Sequence, residues 1–250
     1  MLASGVLAIA VMLAGCTAAD TAAGDPASTD APTGSSVAAA EPPASCVDLD
    51  LDPAAAVAGD ALGACLADGL QLAGTLRSTQ FSAGTVTGHA DVVLTPAIAI
   101  ASTSDIGGTP LEVRYVDGQT WADLGEGWVR GDAASNDPEE ILVAQAGQLA
   151  LAMMSPQAIA DGIASCPSWH ALAQRETLET EGGPEPDAVV IVCDGTLTVA
   201  GIEITDAAVY FSEDWLPLGD RGTGSFLGVS TSFAVHYYDH GAAIVIDPPH

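Results

Sequence analysis

The sequence contains no lysine, and its five arginines stand against 33 aspartates and glutamates, for a formal net charge of -28. A nucleic-acid binder needs a basic footprint that displaces counterions, and none is present, so that class is excluded. Direct adsorption onto anionic headgroups is opposed by the same charge. Self-repulsion of this kind keeps a chain soluble. Aromatic residues are scarce, at 5%, although hydrophobic residues make up 48%. A core of ordinary size is therefore built from Ala, Val, Leu and Ile. Long apolar runs are missing too. The longest leading run, Val6 to Ala14, has the length of a secretory h-region, about 7–15 residues. A membrane span takes about 20. Catalytic signatures are also absent: there is no Walker sequence and no strand-to-helix G-x-G-x-x-G. The nucleophile-elbow pattern fails because Gly228-Val229-Ser230-Thr231-Ser232 ends in serine. Gly224-Ser225 lies in a loop-like run with no helix signal after it. The expectation is a protein that is not an enzyme and needs no cofactor.

What is present begins with export. Residues 1–15 read as a signal peptide without its usual basic n-region, so the true start is expected upstream, with the start codon assigned late. Leu13-Ala14-Gly15-Cys16 resembles the bacterial lipobox. In that signal a peptidase cuts before the cysteine and a diacylglyceryl group is joined to its sulfur. Lipidation of Cys16 is therefore expected, with the protein on the outer face of the cell membrane. Four cysteines remain: Cys46, Cys65, Cys166 and Cys193. An even number in an exported chain argues for disulfides. Proximity favours Cys46–Cys65 and Cys166–Cys193 among the three pairings. A four-cysteine zinc site would need ligands two to four residues apart, and these gaps are far longer.

Residues 16–45 carry the lipidated cysteine and an Ala, Thr, Ser and Pro linker with little to bury, expected to be disordered. The folded part, 46–250, reads as one domain. Asp52-Pro53 suggests a helix start, with a helix over 54–75 interrupted near Gly59. Strands are expected at 79–87, 89–95, 97–104 and 109–116. A hairpin is expected where Asp117-Gly118 separates Tyr115-Val116 from Gln119-Thr120-Trp121. Asp137-Pro138-Glu139-Glu140 opens the clearest helix, with Glu140 completing a capping box. Leu142, Leu149 and Met153 form its stripe. A second helix starts at Ser155-Pro156 and presents Ile159 and Ile163. Strands follow at 170–178, 187–193, 196–211, 215–219, 226–238 and 242–246. Helix, strands, helices, strands, without regular alternation, indicates an α+β domain with a mostly antiparallel sheet.

Metal sites are weakly indicated. His236 and His240 have a spacing that faces one metal on a helix, but their neighbours favour a strand. There, four residues span about 13 Å. His89 and His170 read as isolated. Asp48, Asp50 and Asp52 open like a calcium loop, but Pro53 and Gly59 occupy the positions that need Gly and Glu.

Several of these parts together resemble the actinobacterial LppX/LprG lipoproteins, relatives of the LolA and LolB carriers. They are the lipobox and linker, the Tyr115–Trp121 hairpin, the paired helices at 138–165 and the Asp214-Trp215-Leu216-Pro217 turn. The end, Tyr237-Tyr238-Asp239-His240-Gly241 followed by Ile244 to Pro249, carries most of the likeness. The four domain cysteines depart from the pattern. The resemblance implies a strongly curved antiparallel sheet, a half-barrel, with helices on its concave side and an apolar cavity between them. It implies a non-catalytic carrier of lipids or lipoglycans. By analogy Leu142, Leu149, Met153, Met154 and Ile159 would line the pocket, methionine suiting variable acyl shapes. In the strand at 97–104, either the alanines or Ile98 and Ile100 face inward, and the sequence leaves this open. The competing reading is a surface module with a filled core that binds another envelope protein.

Overall fold

The computed structural model describes residues 41–106, 109–199, 201–226 and 229–250. Cys16 and most of the linker fall outside that range. Four helices are described: α1 (Ala44–Val47), α2 (Gly59–Ala73), α3 (Pro138–Met154) and α4 (Pro156–Ala164). The strands begin with β1 (Thr75–Ser82), β2 (Thr85–Val93), β3 (Ala99–Ile106), β4 (Thr109–Val116), β5 (Gln119–Asp123) and β6 (Trp128–Arg130). They continue with β7 (Trp169–Ala171), β8 (Glu176–Thr180), β9 (Gly183–Cys193), β10 (Leu197–Val199), β11 (Ile202–Phe211), β12 (Pro217–Phe226) and β13 (Val229–Tyr238). All pair antiparallel in an open sheet ordered β6-β5-β4-β3-β2-β1-β13-β12-β11-β9-β7, with β10 on β11 and β8 on β9. The α+β class is as the sequence indicates.

Local chemistry places several elements. Asp117 and Gly118 both take positive φ, 51° and 75°, the backbone that a two-residue hairpin requires. Asp137 caps α3, its Oδ1 accepting from the Glu139 N–H at 2.9 Å, with Pro138 first in the helix. The capping box expected with Glu140 is replaced, because the Asp137 N–H donates to the Ser135 hydroxyl at 3.0 Å. Both disulfides form as proximity suggested, Cys46–Cys65 and Cys166–Cys193.

Other boundaries move. Asp52 caps only a turn, accepting from the Ala54 N–H, and α2 starts at Gly59. The stretch 79–87 is two strands, because Ala83 and Gly84 turn the chain with positive φ. Residues 242–246 form no strand; they run as a tail fixed where the Thr75 hydroxyl donates to the Ala242 carbonyl. Residues 215–219 straddle a tight turn, Trp215 at φ 64°, that feeds β12.

The helices lie on one face of the sheet. α2 and α4 cross closely: a Cβ at Gly63 would stand 2.6 Å from the Ala160 carbonyl oxygen. Beneath them Leu62, Leu70, Leu76, Val92, Trp169, Ile191, Val209 and Phe211 form the main core. A second core lies on the outer face, where Leu178 packs with Ala188, Val190, Ala208, Tyr210 and Leu218. It exists because the β8–β9 hairpin folds back over that face. His236 Nδ1 meets the Glu179 carbonyl at 2.7 Å, and the Tyr238 hydroxyl donates to Glu181 at 2.8 Å. Strand β9 therefore buries residues of both parities, Val189 and Ile191 inward, Ala188 and Val190 outward.

Candidate functional site

The helix-side face of the sheet is the candidate site, and pairing register fixes what it presents. Ile100 pairs with Val92 and faces the helices, and Ile98 packs on the same core. The isoleucine side of this strand is thus the inward one. Ala101 looks outward. Phe233, Val235 and Tyr237 of β13 and Tyr115 of β4 share the inward face. All but Tyr237 are only half-buried. From the helices, Ala150 and Met154 of α3 and Ile159 of α4, also half-buried, pack against the same core. Half-buried apolar side chains on both sides mark the seam between sheet and helices as the candidate groove.

Helix α3 seats on the sheet over β4, β5 and β6 through Val143, which packs with Leu111, Val113 and Ala122. Gly147 lies so close to Thr120 that a Cβ there would collide with the Thr120 side chain. At 100° per residue, Val143, Gly147, Ala150 and Met154 fall on one line, the line that faces the sheet. Leu142 and Leu149 lie on the neighbouring row and are half-buried. Of the five residues expected to line a pocket, the structure therefore brings Met154 and Ile159 to the main core. It leaves Leu142 and Leu149 on the flank of α3, and the Met153 side chain lies outside the described set. No residue from 141 to 160 carries a charge.

One group on this face was not singled out by the sequence. Asp220 of β12 lies opposite Val235 and Val209, so its side chain points to the helix side. Its Oδ2 accepts from the Tyr237 hydroxyl at 2.8 Å. Burial pushes its carboxyl up to about 6, against the opposing effect of that hydrogen bond. Burial, and then the neighbouring Asp220, drive the Tyr237 phenol well above its ordinary value. Among 33 acidic residues nothing marks Asp220 in the sequence. Only strand register shows that it shares a face with valines.

The weaker candidates do not assemble. His236 is held by the Glu179 carbonyl, whereas burial depresses His240 to about 4 with a backbone bond to Pro217 raising it slightly. Asp50 and Asp52 bind backbone N–H groups of their own turn. Among the described residues no group of three or more His, Cys, Asp or Glu is placed to hold a metal. His89 and His170 are not isolated: they contact Glu181 at 3.3 Å and Asp194 at 2.8 Å. Ser225 and Ser230 hydroxyls hydrogen-bond each other across the β12–β13 ladder at 2.7 Å.

Two surface depressions are described. One, about 200 Å³, lies on the outer face between His89, Thr103, Glu112, Arg114 and Tyr238. The other, about 260 Å³, lies beside His170, Asp194 and Pro53. Both fall below the roughly 300–1,000 Å³ of ordinary small-molecule sites. Neither lies under the helices.

Fold and site together define an α+β domain whose open antiparallel sheet carries its helices, and a seam of half-buried apolar side chains, on one face. No family model matches the chain, and no curated protein matches it. Among solved structures, a similar chain is LprF from Mycobacterium bovis, with 11% identity, a TM-score of 0.46, and coverage of 76% of this chain and 96% of that one. Likeness at that level transfers neither fold nor function. Among the described residues no helix is long and apolar enough to cross a membrane.

Proposed function

We propose that this protein is a lipoprotein of the LppX/LprG kind, anchored outside the cell by a lipid on Cys16, that holds lipid or lipoglycan chains without covalent chemistry. Residues 17–45 tether the domain, and the sheet bends around the bound chain as half a barrel. One observation carries the reading. Ile98, Tyr115, Phe233 and Val235 on the sheet, and Ala150, Met154 and Ile159 on the helices, stay half-buried although they pack on the same core. A finished core buries such residues; a surface that awaits an apolar guest leaves them partly open. Leu142, Leu149 and Met153 extend this lining along α3 when the helix shifts. Each CH2 buried there contributes about 0.8 kcal/mol.

A second reading has an observation in its favour. The two described depressions are small, open to solvent and away from the helices. That suits a packed surface module that meets another envelope protein through its acidic exterior. Native mass spectrometry of the secreted Cys16→Ala chain separates the two. Lipid masses should travel with the protein. Repeated recovery of the bare chain, with no uptake of added lipid, overturns carriage and leaves the surface module.

A further inference from the structure

The helix-side face is not uniformly apolar. Asp220 projects from the middle of β12 between Val209 and Val235, half-buried, with the Tyr237 hydroxyl on one oxygen. A carboxylate accepts about four hydrogen bonds, so one phenol does not saturate it. Ser78 pairs with Tyr237 in the neighbouring strand and faces the same way. The hydroxyls of Ser78 and, further along β1, Ser82 are buried without any hydrogen-bond partner. A short polar row, Ser78–Tyr237–Asp220, therefore crosses three strands inside an otherwise apolar wall. Buried polar groups normally have partners, and unmet ones need an explanation.

Charge narrows the explanation. The arginines are engaged elsewhere. Arg77 pairs with Asp91 and Asp239, Arg130 with Gln119, and Arg221 lies over the Tyr210 ring near Glu176. Arg114 lies over Trp128 and donates to the Asp247 carbonyl, and Arg175 is exposed in the loop before β8. Among the described residues, no arginine faces the groove to balance an anionic headgroup, and Asp220 brings a carboxyl to it. Burying a negative headgroup beside a carboxylate in a poorly solvated wall is costly. A hydroxyl or an amine would instead donate to it, a charge-assisted bond of the stronger kind.

We propose that Asp220 selects the guest: the groove takes acyl chains whose polar end offers a hydroxyl or amino donor, and turns away chains with an anionic end. This rests on the lipid-holding reading above. Tyr237 occupies one carboxylate oxygen and leaves the other to the guest. The test uses the Cys16→Ala chain and three probes with one acyl length: monododecanoylglycerol, methyl dodecanoate and dodecanoate. The expected order is monododecanoylglycerol tightest, by about tenfold over the methyl ester, and dodecanoate weakest. Asp220→Asn should bring dodecanoate up to the methyl ester while leaving the methyl ester within about twofold. Tyr237→Phe, which keeps the carboxylate, should keep the order. Equal binding of all three probes by the parent chain overturns the assignment but not lipid holding, as does an order unchanged by Asp220→Asn in a folded variant. Loss of discrimination in Tyr237→Phe also overturns it. Failure of the parent chain to bind any probe overturns both.

Discussion

The two ends of the sheet are built differently. At β9 and β11 the strands are covered on both faces, by the main core within and by the folded-back β8–β9 hairpin without. Cys166–Cys193 ties the end of α4 to β9, and Cys46–Cys65 ties α1 to α2. At β4–β6 the outer face carries Glu112, Arg114, Gln119 and Trp121, exposed or half-buried, and the inner face is covered by α3 alone over a small cluster around Val143. No disulfide reaches α3. The difference separates a fastened frame from a helix that rests on it. If a guest enters between sheet and helices, α3 is the part that gives way.

Deep truncation in each end tests this most sharply. Trp169 is fully buried in the fastened end, and its indole N–H donates to the Ile163 carbonyl at 3.1 Å. Trp169→Ala should cost about 3–5 kcal/mol in denaturant unfolding. Val143→Ala beneath α3 removes two methyl groups and should cost about 2 kcal/mol. Similar losses at both sites would erase the contrast between frame and lid.

The next effect is in pH. The Asp220 carboxyl is raised from 3.8 to about 6 by burial, against the Tyr237 hydrogen bond, which lowers it. A raised carboxyl binds its proton more tightly in the folded state. Its stabilising contribution is complete below pH 3.8 and is lost as the pH climbs to about 6. The loss amounts to about 2–3 kcal/mol, at 1.36 kcal/mol per unit. Asp220→Asn should remove that slope. A parent chain whose unfolding free energy does not fall between pH 4 and 6 by more than the Asn variant's would show the carboxyl to be well solvated.

How far the sequence discloses this architecture depends on the range of each interaction. The Asp117-Gly118 turn, the Asp137-Pro138 helix start and the disulfide pairing are decided by neighbours along the chain, and all were legible. The back-folded β8–β9 hairpin was not, since alternation in β9 cannot show which of its two buried faces meets which core. The helical stripe at Leu142, Leu149 and Met153 was read from spacing in a helix that is apolar almost all round, where spacing discriminates poorly. The line that meets the sheet is Val143, Gly147, Ala150 and Met154, fixed by the close approach of Gly147 to Thr120. Asp220 needed the register of three strands before it could be told from the other acids.

The smallest effect probes whether α3 opens by itself. Asp137 Oδ1 satisfies the Glu139 N–H at the exposed start of the helix. Replacing such a cap with alanine costs about 1 kcal/mol. If α3 opens as a separate unit, Asp137→Ala lowers its opening free energy directly, and amides of α3 should exchange about fivefold faster. Amides of β9 and β11 should change less than those of α3 if the frame opens while α3 stays docked and capped. Uniform acceleration of every protected amide would mean that helix and frame unfold together. The groove would then have no moving wall, and a guest could be taken up only as the chain folds.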